Sequence, residues 1–190
     1  IEILCSEGIR PVKILGREAE IIGEKVYTSI SQLYSKQEKY LMLELDVPPK
    51  SEGDTVDVAQ VRVSYNNMET NRTENLSGSA RVEFTRSQSV VEETKDRGTL
   101  VEAAKQIAAD ISEAAIELRD EGRVEEAQQL LKQGSAFLKE EAEELESGEL
   151  EAMSQASSAD AEVLDDEKSW NSNRKRMKAE TYEVQNQQSY

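Results

Sequence analysis

The side chains that most often carry enzymatic chemistry are sparse in this sequence of 190 residues. Histidine is absent, so the usual general base and the commonest metal ligand are both missing. The single cysteine, Cys5, lies in an apolar stretch that predicts a buried strand residue, and one cysteine cannot close a disulfide within the chain. Neither a G-x-x-x-x-G-K-S/T nor a G-x-G-x-x-G phosphate-binding loop occurs. We therefore expect a chain that is not an enzyme and that binds no nucleotide or other cofactor.

Carboxylates are plentiful, but nothing in their spacing selects a site. The densest run, residues 140–146 (EEAEELE), lies in a predicted helix. A helix spreads its carboxylates apart, whereas a calcium site needs oxygens that converge from a shaped loop. A glycosidase needs two selected carboxylates and a cleft lined with aromatic rings, yet the chain has one Trp, two Phe and six Tyr. We expect a solvated helix face at residues 140–146, no metal site and no catalytic residue.

The candidate contact residues lie near the C-terminal end of the sequence: Trp170, Arg174, Lys175 and Arg176. The three basic residues follow the most acidic part of the chain. They can therefore bind an acidic protein partner, or they can neutralise neighbouring carboxylates of the same chain. The large ring of Trp170 favours an anchor that packs this segment onto the preceding helices. Both interpretations predict that the segment docks.

The charge of the whole chain narrows the classes of partner. Lys and Arg number 23 and Asp and Glu number 39, which gives a net charge of -16. This charge repels phosphate backbones and anionic lipid surfaces, and no run approaches the ~20 apolar residues of a membrane span. We expect a soluble chain that binds no nucleic acid and does not insert into a membrane, with a cytoplasmic and a periplasmic or extracellular location both open. The first residue, Ile1, indicates a processed chain or a piece of a larger protein.

The pattern of residues 1–94 predicts an antiparallel β-sandwich. β-Branched and aromatic residues alternate with polar ones between clusters of Gly, Pro, Asn, Asp and Ser. The clearest strand is residues 40–47 (YLMLELDV), with one apolar and one acidic face, and Pro48 ends it. Between Val58 and Val61 the alternation slips by one residue, which indicates a β-bulge near positions 59 and 60 or a strand that changes face. Six or seven such strands are typical of a sandwich.

The apolar period changes from 2 to 3.6 near Gly98, so helices follow the strands and the predicted fold class is α+β. Residues 95–167 predict an acidic helical hairpin or a three-helix extension. Thr99 and Glu102 have the spacing of a capping box at its start, and Gly122 and Gly148 mark two interruptions. Residues 168–190 form a third segment, first basic and then rich in Gln and Asn, which we expect to be partly ordered.

The order of segments along the chain is similar to that of a known family. Strand-like residues 26–33 (VYTSISQL), 40–47 and 58–65 (VAQVRVSY) precede Ala- and Glu-rich helices that contain residues 121–127 (EGRVEEA). This order resembles the region that follows the von Willebrand factor A (VWA) domain in bacterial multidomain proteins. The resemblance implies a β-sandwich with a helical C-terminal extension. The A domain itself is absent, because the nearest match to its Asp-x-Ser-x-Ser metal motif, residues 110–114 (DISEA), lacks the second Ser and lies in a predicted helix.

These observations favour a non-catalytic accessory or protein-interaction module of a larger VWA-type multidomain protein. Its partner would be another protein or a neighbouring domain of the same polypeptide, and its oligomeric state is left open. The alternative is a carbohydrate- or ligand-binding β-sandwich in which the helices serve as a spacer. The sparse aromatic residues argue against that alternative.

Overall fold

The chain folds into one unit of strands and one unit of helices. The computed structural model describes residues 1–187, and its contacts divide the chain into Ile1–Lys95 and Asp96–Tyr190. Antiparallel strands come first and helices follow, so the predicted α+β class is confirmed. Residues 188–190, the end of the Gln/Asn-rich segment, lie outside the described residues. No helix in the described part of the chain is long and apolar enough to cross a membrane.

The first unit contains seven strands and a short helix, and its strands form two antiparallel sheets. The strands β3, β4, β1, β6 and β7 make up the large sheet in that order, and β2 and β5 make up the small one. The bounds are β1 Glu2–Cys5, β2 Arg10–Leu15, β3 Glu20–Ile22, β4 Lys25–Tyr27, β5 Met42–Asp46, β6 Thr55–Asn67, β7 Arg72–Glu83 and α1 Gln88–Thr94.

The two sheets face each other across an apolar core. Ile3, Val26 and Ala59 of the large sheet pack with Ile14 of the small sheet in one buried cluster. Cys5 is buried in a neighbouring cluster, as its position in an apolar stretch indicated. Burial raises the pKa of the Cys5 thiol, so the side chain behaves as a small apolar group.

The strand β6 contains the β-bulge that its irregular alternation predicted. The register between β6 and β7 shifts between Asp57 and Ala59, which makes Val58 the extra residue. Val58 and Ala59 are consecutive, and both are buried. The bulge therefore lets Val56, Val58 itself, and Ala59 and Val61 beyond it all face the apolar clusters.

The strand β5 is shorter than the run of residues that predicted it. The pattern covered residues 40–47, whereas the strand is Met42–Asp46. Its faces are as expected, because Leu43 and Leu45 pack against the core while Glu44 is exposed. Pro48 supplies no N–H group for a further ladder bond.

The second unit consists of four long helices: α2 Arg97–Asp120, α3 Val124–Leu145, α4 Gly148–Val163 and α5 Glu167–Asn186. The helices α2, α3 and α4 correspond to the predicted three-helix extension, and the basic C-terminal segment adds α5. Gly122 follows the end of α2 with a φ of 83°. This left-handed conformation suits glycine, which has no Cβ, and it ends the helix.

The start of α2 differs from the predicted capping box. Asp96 is the N-cap, and its side chain accepts a hydrogen bond from the backbone N–H of Thr99 at 3.1 Å. Thr99 therefore lies within the first turn rather than before it. The carboxylate of Asp96 is also stabilised by the positive end of the helix dipole, which a neutral threonine is not. The hydrogen bond from Thr99 lowers the pKa of Asp96.

Two apolar clusters hold the four helices together. The first contains residues of all four helices and of the α4–α5 turn: Ala115, Ile116, Ala127, Leu131, Ala161, Leu164, Trp170 and Met177. The second joins α2, α3 and α4: Ala104, Ala108, Leu138, Ala142, Leu145 and Leu150. Alanine is frequent in both clusters because a short side chain lets two helices approach closely.

Candidate functional site

Trp170 anchors α5 to the end of α2. Trp170 is only 9% exposed and shares one face of α5 with the buried residues Met177 and Thr181. The guanidinium of Arg119 lies 5.2 Å from the centre of the Trp170 ring, a geometry that supports a cation–π contact. The indole Nε1 donates a hydrogen bond to Asp120 at 3.3 Å. The tryptophan is thus part of the internal packing of the helices.

Arg174 pairs with the same carboxylate. Its Nε donates to both carboxylate oxygens of Asp120, at 2.9 and 2.7 Å, and a terminal nitrogen lies 2.6 Å from Oδ2. These bonds lower the pKa of Asp120 and raise that of Arg174. The pair fastens α5 to the C-terminal end of α2, about one turn of α5 beyond Trp170.

Arg176 pairs with a carboxylate of a different helix. Its guanidinium donates to Asp160 of α4 and, at 2.8 Å, to Glu180 of α5. Asp160 is 8% exposed, and its burial raises its pKa although the charge of Arg176 opposes that effect. The buried carboxylate therefore depends on Arg176 for its compensation.

Lys175 differs from its neighbours in the basic cluster. Its side chain is exposed, and it forms no ion pair with a residue that the structure describes. The structure thus brings Trp170, Arg174 and Arg176 into contacts within the chain and leaves Lys175 on the outer surface of α5. The role of these residues in binding a partner stays a prediction.

The structure also shows a surface that the sequence pattern did not single out. Beyond the core, the inner face of the large sheet is uncovered, and we call the side chains of Val63, Tyr65, Leu76, Ala80 and Val82 the open face. Residues that are directly paired in neighbouring strands point to the same face of a sheet. Leu76, Ala80 and Val82 are each paired with an inward-pointing residue of β6, so they point inward as well. Leu76 is 59% exposed and Val82 is 38% exposed. Isolated apolar residues on a surface are ordinary, but a continuous set is not.

A hydrogen-bond network orders the tip of the ribbon formed by β6 and β7. Glu74 accepts hydrogen bonds from Tyr65 at 2.6 Å, from Asn67 at 2.9 Å and from Thr70 at 3.1 Å. The bond from Tyr65 lowers the pKa of Glu74 and raises the pKa of Tyr65. Met68, in the turn between the strands, is 82% exposed. The network holds the ring of Tyr65 in one orientation at the end of the open face.

The strand unit carries an open depression of about 660 Å³, lined by Glu18, Ala19, Glu20, Tyr27, Thr28 and Ser29. Tyr27 is the one aromatic residue of this lining, and its hydroxyl donates to Glu2 at 3.3 Å. Small-molecule sites are usually lined by apolar and aromatic side chains with a few polar groups among them. The lining does not have that character, so the depression does not favour the ligand-binding alternative.

Two further searches, for groups of metal-binding side chains and for similar proteins, assign no function to the chain. Within residues 1–187, no group of three or more His, Cys, Asp or Glu side chains is placed to hold a metal ion. Comparisons with protein-family models, with curated proteins and with solved structures found no match to the chain. The similarity to the region after a VWA domain therefore remains a prediction from the order of segments.

Proposed function

We propose that the chain is a non-catalytic protein-interaction module of a larger multidomain protein of the VWA type, and that the open face is its main contact surface. The observation that carries the proposal is the exposure of apolar side chains on the inner face of a sandwich sheet, with Leu76 59% exposed. An inner face is normally covered by the second sheet of the sandwich. An apolar surface left uncovered in this way is typical of a protein contact site.

The chemistry of the open face fits a protein partner. It combines the aliphatic side chains of Val63, Leu76 and Val82 with the ring of Tyr65, which is one of the residue types that contribute most to binding energy at protein interfaces. The Tyr65 hydroxyl is held by Glu74 at 2.6 Å. A ring that is already ordered loses little conformational entropy when a partner covers it.

A second contact surface is proposed on the outer face of α5. Lys168, Lys175 and Tyr182 recur at intervals of seven residues on this helix, and all three are exposed. The docked residues Trp170 and Arg174 fix the helix from its other side. A positive surface on a chain of net charge -16 selects an acidic partner, because unlike charges accelerate association and like charges oppose it.

The open face is tested by making it polar. The double variant Leu76→Gln/Val82→Thr changes two exposed side chains, so we expect it to fold normally. The matched control Asn75→Gln/Ser79→Thr introduces the same residues on the opposite face of β7. Each protein is immobilised in turn and exposed to an extract of the source cells, and the bound proteins are quantified by mass spectrometry. A protein that the wild type and the control retain and the open-face variant loses supports the proposal, whereas identical sets contradict it.

The outer face of α5 is tested by reversing its charge. Lys168→Glu/Lys175→Glu should slow association with the partner found in that experiment and reduce the dependence of the rate on salt. Lys132→Glu/Lys139→Glu is the matched control, because these two exposed lysines have the same spacing of seven on α3. Equal association rates for the two variants, measured by surface plasmon resonance, would exclude α5 as a contact surface.

A further inference from the structure

The strand β7 is an edge of the large sheet and carries an open row of backbone hydrogen-bonding groups. It pairs with β6 on one side and ends the strand order on the other. It has 12 residues, of which 11 are exposed and one is partly buried. Phe84, just beyond the strand, exchanges two backbone hydrogen bonds with Gly53 and Asp54, at 2.7 and 2.9 Å. Because backbone groups alternate in direction along a strand, the groups that point outward belong to Thr73, Asn75, Ser77, Ser79, Arg81 and Glu83.

The middle of this edge, residues 75–80, lacks the features that usually prevent an edge strand from pairing with another chain. Such features are proline, lysine, an inward-pointing charge or a bulge within the edge strand itself. The strand contains no proline and no lysine, and its central residues 75–80 (NLSGSA) carry no charge. Its inward-facing charge, Glu74, lies just outside this stretch. The bulge at Val58 lies in β6 and not in β7. The middle of β7 is therefore open to pairing over about six residues, or ~20 Å.

We propose that two copies of this chain pair through their β7 strands, antiparallel and around a two-fold axis at Gly78. In this register Leu76 lies opposite Ala80 of the second copy on the open-face side. Ser77 lies opposite Ser79 of the second copy on the other side. Cross-strand pairs of apolar side chains and of hydroxyl groups stabilise a sheet. Further out, Arg81 lies opposite Asn75 of the second copy, so no charge faces a like charge.

The neighbouring register is less favourable. A two-fold axis at Ser77 would place Leu76 opposite Gly78, so the apolar pair of Leu76 with Ala80 is lost, and Glu74 would face Ala80 within the uncharged centre of the strand. With the axis at Gly78, Glu74 faces Val82, and this pair lies outside residues 75–80. With the axis at Gly78, the backbone groups of both glycines point towards their own β6 strands. The two glycines then form a non-hydrogen-bonded pair, in which the Cα atoms approach to about 4.5 Å. A Cβ at Gly78 would meet nothing within 4 Å in the single chain.

The proposed pairing does not depend on the open face binding another protein. It uses the edge of the sheet, and it places the two open faces side by side on one surface. The contact is smaller than a standard protein interface, so we expect a weak and reversible dimer. The self-association of the chain is measured on the purified chain alone, whereas the open-face experiment needs a partner protein. A negative result in one experiment therefore leaves the other proposal unaffected.

The test introduces charge at the two outward-pointing serines. In Ser77→Lys/Ser79→Lys, the introduced lysine at position 77 faces the one at position 79 of the second copy, and self-association should weaken at least tenfold. In the control Ser77→Lys/Ser79→Glu, each lysine faces a glutamate and association should be kept. The first variant lowers the net negative charge from -16 by two, which by itself would favour association, so a loss cannot come from overall repulsion.

Sedimentation velocity of the full chain over roughly a thousandfold range of concentration, from micromolar to millimolar, gives the result. Concentration-dependent association of the wild type and the Lys/Glu variant, with a monomeric Lys/Lys variant, supports the proposal. A wild type that stays monomeric throughout overturns it, and so does a Lys/Lys variant that associates as the wild type does. Loss of association in both variants overturns the register at Gly78, because the control pairs unlike charges only there. Circular dichroism checks that both variants are folded.

Discussion

Asp120 and Asp160 each have an arginine of α5 as a partner, yet their environments shift their pKa values in opposite directions. Hydrogen bonds from Arg174 dominate at Asp120 and lower its pKa. Burial dominates at Asp160 and raises its pKa despite Arg176. The more exposed pair, Arg174 with Asp120, therefore favours the folded state at neutral pH. At Asp160, the free-energy cost of burying the carboxylate is only partly offset by the charge of Arg176.

Replacing Asp120 with Asn should lower stability at neutral pH and leave it unchanged in acid. The folded-state pKa of Asp120 lies below its unfolded value, so its contribution is present above the unfolded pKa of about 4 and is lost as the pH falls through the folded pKa. Urea titrations should show unfolding free energies of wild type and Asp120→Asn that differ at neutral pH and converge as the pH falls below the folded-state pKa of Asp120. The exposed Asp165→Asn variant is the control, and a constant difference for Asp120→Asn across the range would contradict the linkage.

Replacing Arg176 with Met should destabilise the helical unit by about 1–3 kcal/mol, because the buried carboxylate of Asp160 loses its charged partner. The value belongs in the lower part of that range because the Arg176 side chain is itself 42% exposed. The double variant Asp160→Asn/Arg176→Met should recover part of the loss, since a neutral amide is cheaper to bury than an unpaired carboxylate. Chemical denaturation measures both, and an Arg176→Met variant as stable as the wild type would show that the pair is not needed.

The sequence identified the group Trp170, Arg174, Lys175 and Arg176 but not what each member contacts. Asp120 and Asp160 are two of 39 acidic residues, and no local pattern distinguishes them. Their roles depend on how α2, α4 and α5 pack. Pairing between positions 54 residues apart, as for Arg174 and Asp120, is a tertiary property that composition and spacing do not contain.

At the scale of elements, α2 and α3 are tightly packed against each other at Gly134. A Cβ built on this glycine would lie 2.9 Å from Cγ2 of Ile111. This is closer than two carbon atoms can pack without a shift. The glycine in the middle of α3 therefore has a packing reason that outweighs its poor helix propensity.

The effect of Gly134→Ala should change sign with the residue at position 111. In the wild type we expect destabilisation of about 1–3 kcal/mol from overpacking against Ile111. In an Ile111→Ala background the same change should stabilise by up to about 1 kcal/mol, because the space is open and alanine favours a helix. A double-mutant cycle by chemical denaturation gives the coupling. Gly148→Ala is the control, since a Cβ there meets nothing within 4 Å, and additive effects would contradict the contact.

Two local features that the sequence predicted, the bulge in β6 and the cap of α2, had different outcomes in the structure. The slip between Val58 and Val61 indicated either a bulge or a strand that changes face, and the shift of register between Asp57 and Ala59 shows the bulge. The predicted capping box at Thr99 was wrong because two capping residues lie within three positions, and Asp96 caps the helix instead. Spacing alone does not rank a threonine against an aspartate that begins the helix earlier.

At the scale of the whole molecule, each unit has cores of its own. The clusters of the strand unit contain residues before position 95, and those of the helical unit contain residues after it. The sequence predicted that helices follow strands, because the spacing of apolar residues changes from a period of 2 to a period of 3.6. The open face was not, because it results from the short second sheet: β2 has six residues and β5 has five, against 13 in β6.

A fragment of residues 96–190 should fold without the strands. Both of its apolar clusters lie entirely within it, and a domain with its own core commonly folds alone. We expect a helical circular dichroism spectrum and a cooperative thermal transition from the purified fragment. Leu131→Ala in this fragment should cost about 2–5 kcal/mol, because Leu131 is 1% exposed. A fragment without a cooperative transition would show that its helices need the first unit.

The docking of Trp170 gives the chain a built-in optical reporter. It is the only tryptophan in the sequence, and its ring is buried with the guanidinium of Arg119 at 5.2 Å. Excitation at the red edge of the absorption band avoids the tyrosines, so the emission comes from one place on α5. When α5 leaves α2, water reaches the indole and the emission moves to longer wavelength. Release of α5 by acid, by denaturant or by a partner can therefore be followed in the unlabelled protein from the wavelength of the tryptophan emission maximum.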